Sequence, residues 1–148
     1  MDVKKYLTQI DQLFFFRGRQ VKHKICEGLD DAINPVHIHL LKFIQQKEKC
    51  IVTDIAHYFS ITLSAVTGSV DKLVKMELVT RERSEEDRRI VVIKLTDEGK
   101  RVLEKADANR LKLFEKGFSN LSHEEVEGFF DTLNKVISNI SDHDEPTT

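Results

Sequence analysis

Two short stretches with helical apolar spacing, separated by a turn that leaves room only for a sharp corner, restrict the fold of this chain more than any other feature. In the first, Val52, Ile55, Ala56 and Phe59 recur at i, i+3, i+4 and i+7, the spacing that lines one face of a helix. In the second, Val66, Val70, Leu73 and Val74 form a similar stripe. Ser60-Ile61 stands between them as a tight turn, and two helices joined in this way make a helix-turn-helix. Thr53 is expected to cap the first helix and Thr62 or Ser64 the second, which should end near Met76. On the side opposite its apolar stripe the second helix carries Ser64, Thr67, Gly68, Asp71, Lys72 and Lys75.

What flanks this pair completes a recognisable order. Leu78 to Arg83 alternates apolar and polar residues, and Ile90 to Leu95 is rich in β-branched residues, so both read as strands. The residues between them, including Arg83, Glu85, Glu86, Asp87, Arg88 and Arg89, make a charged hairpin tip. Upstream, Asn34-Pro35 reads as a cap and first position of a helix through about Gln46, with Val36, Ile38, Leu40, Leu41, Phe43 and Ile44 as its apolar set. Cys50 to Val52 is expected to pair briefly as a strand. A first amphipathic helix is expected over Val3 to Leu29, and the run Phe14 to Phe16 cannot all face one side, so part of it should meet a second surface such as another subunit. Downstream, Thr96 or Asp97 should cap a long helix, and Ser122 with Glu125 forms a capping box for a last one. The fold class expected is mainly α (α+β): one domain over 1–148, with a winged helix-turn-helix at 34–96 between dimerisation helices at 1–33 and 97–141, and a frayed tail at 142–148.

Composition fits a globular chain. Charged residues make up 32% and apolar ones 40%, and no apolar run approaches the ~18 residues of a spanning helix, so a cytoplasmic protein is expected. The formal net charge of −2 argues at first against a nucleic-acid partner, but it is unevenly spread. From Met1 to Cys26 six basic residues face two acidic ones, a net of +4, whereas from Ser119 to Thr148 seven acidic residues face Lys135 alone, a net of −6. The average therefore decides nothing about DNA.

The segment ITLSAVTGSVDKLVKMELVTRERSEEDRRIVVIKLTDEGK, Ile61 to Lys100, resembles the core of the MarR family of bacterial transcription regulators. Its most characteristic part is Asp87-x-Arg89 followed by Leu95-Thr96 and Gly99, and the flanking helices match the family's order over nearly the whole chain. The resemblance implies a homodimer that binds double-stranded DNA. Short outward side chains on a helix in the major groove can reach base edges, which suits Ser64, Thr67 and Gly68. Lys72 and Lys75 suit phosphate contacts, as do Thr53, Thr62 and Ser64 at helix N-termini. By resemblance Arg89 enters a narrow minor groove, Asp87 braces the wing through a salt bridge to an arginine, and Arg83 and Arg88 add backbone contacts. Glu77 departs from the family pattern where glycine is common. A left-handed residue there would cost about 1 kcal/mol or more, so another turn shape is expected.

The family commonly releases DNA when a small phenolic or lipophilic effector binds or a cysteine is oxidised, which makes Cys26 and Cys50 candidate redox residues, expected otherwise as free packing thiols. No cofactor is expected. His23, Cys26, His37 and His39 lie close in sequence, but His37 and His39 are two apart on a helix and point to different sides, so metal sensing is a secondary reading. No nucleophile elbow, phosphate-binding loop or zinc-hydrolase motif is present, and no enzyme is expected. A winged helix that binds only protein is the remaining alternative, and it would lack salt-dependent affinity for duplex DNA.

Overall fold

Local capping chemistry starts most of the elements. In the computed structural model, which describes residues 8–9 and 18–141, helix α1 (Gly18–Ile25) is followed by α2 (Pro35–Gln46), α3 (Val52–Phe59), α4 (Leu63–Lys75), strands β1 (Val79–Arg83) and β2 (Val91–Leu95), and helices α5 (Asp97–Phe118) and α6 (His123–Ser141). The long first helix expected from Val3 falls largely outside the described residues, Phe14 to Phe16 included, as does the tail at 142–148. Where it is described it ends at Ile25, not Leu29, and Gly28 follows at φ +73. Among the described residues no helix is long and apolar enough to cross a membrane.

At the start of α2, Asn34 Oδ1 accepts the N–H of His37 at 3.1 Å, and His37 Nδ1 accepts the N–H of Asn34 at 3.4 Å. This is a capping box in which histidine replaces the usual Glu or Gln. His37 is thus buried as a capping residue, while Val36, expected in the core, is 64% exposed. At α3 the expected cap moves. Ile51 holds the cap position, Asp54 Oδ2 accepts its N–H at 3.1 Å, and Thr53 sits exposed within the first turn. Thr62 caps α4, accepting the N–H of Ala65 at 3.2 Å, an interaction of about 1 kcal/mol. The Ser122–Glu125 box at α6 forms as the sequence indicates, with contacts of 2.8 and 3.2 Å.

The chain falls into two compact units, 1–113 and 114–148. In the first, Leu41, Ile55, Val66, Val70, Leu73, Val79, Ile93 and Leu103 are almost fully enclosed, so α2, α3, α4, the hairpin and the first half of α5 share one core. The strands are antiparallel, pairing Val79 with Leu95 through Arg83 with Val91. Cys50 adds a single bridge to Ile93, whose N–H donates to the Cys50 carbonyl at 2.7 Å. The brief strand expected at 50–52 is reduced to this one residue because Val52 already belongs to α3.

Asn109 of α5 closes the end of α1, its Nδ2 donating to the carbonyls of Ile25 at 3.0 Å and Glu27 at 2.9 Å. In the second unit Phe118 lies 6.1 Å from Phe130, and Phe129 meets Phe130 at 5.4 Å.

Candidate nucleic-acid interface

Helix α4 turns Val66, Val70 and Leu73 into the core and leaves Thr62, Ser64, Thr67, Gly68, Lys72 and Lys75 exposed. The surface expected to be outward is therefore outward. Thr67 Oγ1 donates to the Leu63 carbonyl at 2.8 Å, which commits its proton and leaves a lone pair and a methyl group facing solvent. A Cβ added at Gly68 would meet nothing within 4 Å, so backbone is open to approach at that point. Lys72 and Lys75 lie in the last turn, where a cation also complements the helix dipole.

The turn after α4 corrects the expectation for Glu77. Its φ is 59, so the left-handed shape is kept without glycine. The N–H of Leu78 reaches back to the Leu73 carbonyl and that of Glu77 to Val74, each at 2.9 Å, and Leu73 and Leu78 are both buried. This is a Schellman ending with its apolar contact. The Glu77 carbonyl accepts Thr96 Oγ1 at 2.6 Å, and the Leu78 carbonyl accepts the Thr96 N–H at 3.1 Å. These bonds hold the strained residue in place.

The same junction explains Gly99. A Cβ there would lie 2.1 Å from the Leu78 carbonyl oxygen, so the Leu-Thr-x-x-Gly pattern marks where the first turn of α5 touches the chain leaving α4. Thr96 Oγ1 also accepts the Gly99 N–H at 3.0 Å, capping α5.

At the wing tip Asp87 Oδ1 accepts the backbone N–H of Arg89 at 2.9 Å. The bracing contact is thus to backbone, where the sequence suggested a guanidinium. The Asp87 carbonyl receives the Ile90 N–H, and the Ile90 carbonyl the Ser84 N–H, both at 2.9 Å. Arg83, Arg88 and Arg89 are exposed. Glu86 meets Lys49 of the α2–α3 turn at 2.5 Å, and Glu82 meets Lys94 across the strands at 2.7 Å. These contacts hold both carboxyls below their ordinary range and raise Lys94. Arg83, Glu85, Glu86, Lys49 and Lys94 line a polar cleft of about 300 Å³ beside the hairpin.

Both cysteines are free. Cys50 is fully buried and burial pushes its thiol up to about 11, so few thiolates form at neutral pH. Cys26 is half-buried and also raised by burial, beside a cleft of about 380 Å³ lined by Lys22, His23 and the 26–35 segment. His39 Nδ1 lies 2.7 Å from the Pro35 carbonyl. Among the described residues, no group of three His, Cys, Asp or Glu side chains is placed to hold a metal ion. Sequence reasoning missed Arg81, which contacts Asp71 of α4 at 2.6 Å. A basic residue at an exposed strand position gave no signal of a partner ten residues earlier.

A helix-turn-helix joined to a two-stranded wing defines a winged-helix protein. The family model described as "MarR family" matches residues 33–91. Two Bacillus subtilis (strain 168) proteins described as uncharacterized HTH-type transcriptional regulators are similar. YpoP is 29% identical over 118 residues, covering 80% of this chain and 84% of that protein, and YhbI is 30% identical over 115 residues, covering 74% of each. Streptococcus pneumoniae FabT superposes with a TM-score of 0.76 at 23% identity over 95% of this chain and 96% of that one. The chain belongs to the MarR family. It is a transcriptional regulator and not an enzyme.

Proposed function

We propose that the chain acts in the cytoplasm as a homodimeric, sequence-specific DNA-binding repressor of a pseudo-palindromic operator. Helix α4 enters the major groove with Ser64, Thr67 and Gly68 toward base edges, while Thr53, Thr62, Lys72 and Lys75 meet phosphates. Arg89 enters the minor groove, with Arg83 and Arg88 on the backbone. The observation that carries this reading is the exposed, short-chained polar face of α4 beside a wing whose tip presents Arg88 and Arg89. Two structures with a similar fold, S. pneumoniae FabT and Staphylococcus aureus MepR, are complexes with DNA, and a relative in B. subtilis, MdtR, is described as a repressor.

Residues 1–33 and 97–141 serve as the dimerisation part and 34–96 as the DNA-binding part. Support for the dimer comes from α6, where Phe129, Phe130, Leu133, Val136 and Ile140 are 40–64% exposed, an apolar surface of the kind a second subunit covers. Release by a small effector or by oxidation of a cysteine, Cys26 or the more deeply buried Cys50, completes the reading. Selection of bound sequences from random duplexes tests it: a two-fold consensus with half-sites about one helical turn apart is expected, and failure to enrich any sequence refutes it.

A further inference from the structure

The wing is held at its base by Leu78 and Val79, along β2 by Ile93, whose N–H donates to the Cys50 carbonyl, and near its tip by the Glu86–Lys49 pair. On β1 Val79 is buried, as is Leu78 before it, but the remaining residues of that strand are exposed, while β2 opposite buries Val92 and Ile93. Apolar packing therefore holds the wing through β2 and leaves the outer arm of β1 to its side-chain pairing. Among the described residues, the ion pair that joins this arm to α4 is Arg81 Nη1 to Asp71 Oδ1 at 2.6 Å. Asp71 lies one helical turn beyond Thr67, on the flank of the face offered to the major groove. Two consequences follow from the geometry. The contact ties the exposed strand of the wing directly to the flank of α4, and the guanidinium neutralises a carboxylate on that flank.

We propose that Arg81 is a positioning residue for DNA recognition: through Asp71 it holds the wing at the offset from α4 that lets one half-site be read in both grooves. It does so without contacting DNA itself. The proposal rests on the DNA-binding reading above.

The test is a double-mutant cycle on the full chain, using a duplex selected from random sequence and a scrambled duplex of equal length, with binding measured by fluorescence anisotropy across a salt series. Arg81→Ala is expected to weaken binding to the selected duplex about tenfold, a coupling of ordinary size for contacting residues. Asp71→Asn combined with Arg81→Ala should recover part of that loss, because the unpaired carboxylate is then gone. The slope of log affinity against log salt should stay at the wild-type value, and hydroxyl-radical protection of the minor groove under the wing should fade before that of the major groove. Thermal midpoints of all variants should match wild type to within a few degrees.

A salt slope reduced by about one in Arg81→Ala would make Arg81 a phosphate contact and overturn the proposal. Additive losses in the double variant would overturn it as well. Wild-type protein that binds no duplex refutes the DNA-binding reading itself, a failure visible before any variant is made.

Discussion

Gly99→Ala measures how tightly the first turn of α5 is fitted against the chain leaving α4. Within a helix the change should help, since alanine is favoured over glycine by about 1 kcal/mol. The structure opposes this. The new Cβ would lie 2.1 Å from the Leu78 carbonyl oxygen and 3.0 Å from its carbon, and a backbone carbonyl cannot swing aside as a side-chain end can. Relief requires a displacement of more than about 1 Å, at an overpacking cost of about 1–3 kcal/mol. The same carbonyl accepts the Thr96 N–H at 3.1 Å, and losing that bond costs about 1 kcal/mol more. The net is a destabilisation of about 2 kcal/mol, or a fall of roughly 4–8 °C in thermal midpoint for a chain of this size. Urea unfolding followed by circular dichroism reads it directly, and Gly68→Ala is the matched control. That glycine is also helical, but its Cβ would meet nothing within 4 Å, so stability should rise by about 0.5–1 kcal/mol while DNA affinity falls as the backbone is masked. A Gly99→Ala protein as stable as wild type would show that helix propensity wins and that the close approach does not constrain the fold.

Three further outcomes are expected. Glu77→Gly removes the left-handed strain of about 1–2 kcal/mol and adds about 0.5–1 kcal/mol of unfolded-state entropy, so the urea midpoint should rise slightly; a fall would mean that the Glu77 side chain contributes more than its backbone costs. Burial first, then the nearby charge of Lys72, lowers the pKa of His37. A depressed folded-state pKa means that its stabilisation is complete above the ordinary value near 6.5 and is lost as pH falls through the folded value; melting temperatures at pH 5 and 7.5 should therefore differ more in wild type than in His37→Gln. Because Asp87 accepts a backbone N–H, Asp87→Asn should keep most of the operator affinity while Asp87→Ala loses about tenfold; equal losses in anisotropy titrations would favour a role for the charge instead.

The readable parts of this chain were those set within a few residues. Asn34-Pro35, Thr62 and the Ser122–Glu125 pair each satisfy orphan helix donors locally, so residue type and spacing suffice to place them. The outward face of α4 was legible for the same reason. Thr53 misled because the helix starts earlier than its hydroxyl suggested, with Ile51 at the cap position and its N–H accepted by Asp54 Oδ2 three residues on. Glu77 misled because conformational preference is a local quantity, whereas the left-handed turn is held by Thr96 from nineteen residues away. The Asp71–Arg81 pair and the clasp of Asn109 on the end of α1 depend on where separate elements come to rest. Helical or strand periodicity carries no information about that.

The Glu77–Leu78 step joins elements that would otherwise be independent levers. Its two N–H groups finish α4 by bonding to Val74 and Leu73, and its two carbonyls bond to Thr96, which caps α5. Val79, the next residue, opens the buried end of the wing. A shift of α5 at its first turn therefore pulls on the end of the helix that offers Ser64, Thr67 and Gly68 and on the base of the hairpin that presents Arg89. Close packing of Gly99 on the same carbonyl leaves little slack for α5 to slide past. An effector that moves α5 relative to its partner subunit would thus shift helix and wing together, altering the distance between half-site readers more than the shape of either. Such a mechanism predicts that effector binding weakens affinity for a two-half-site operator strongly and for a single half-site hardly at all.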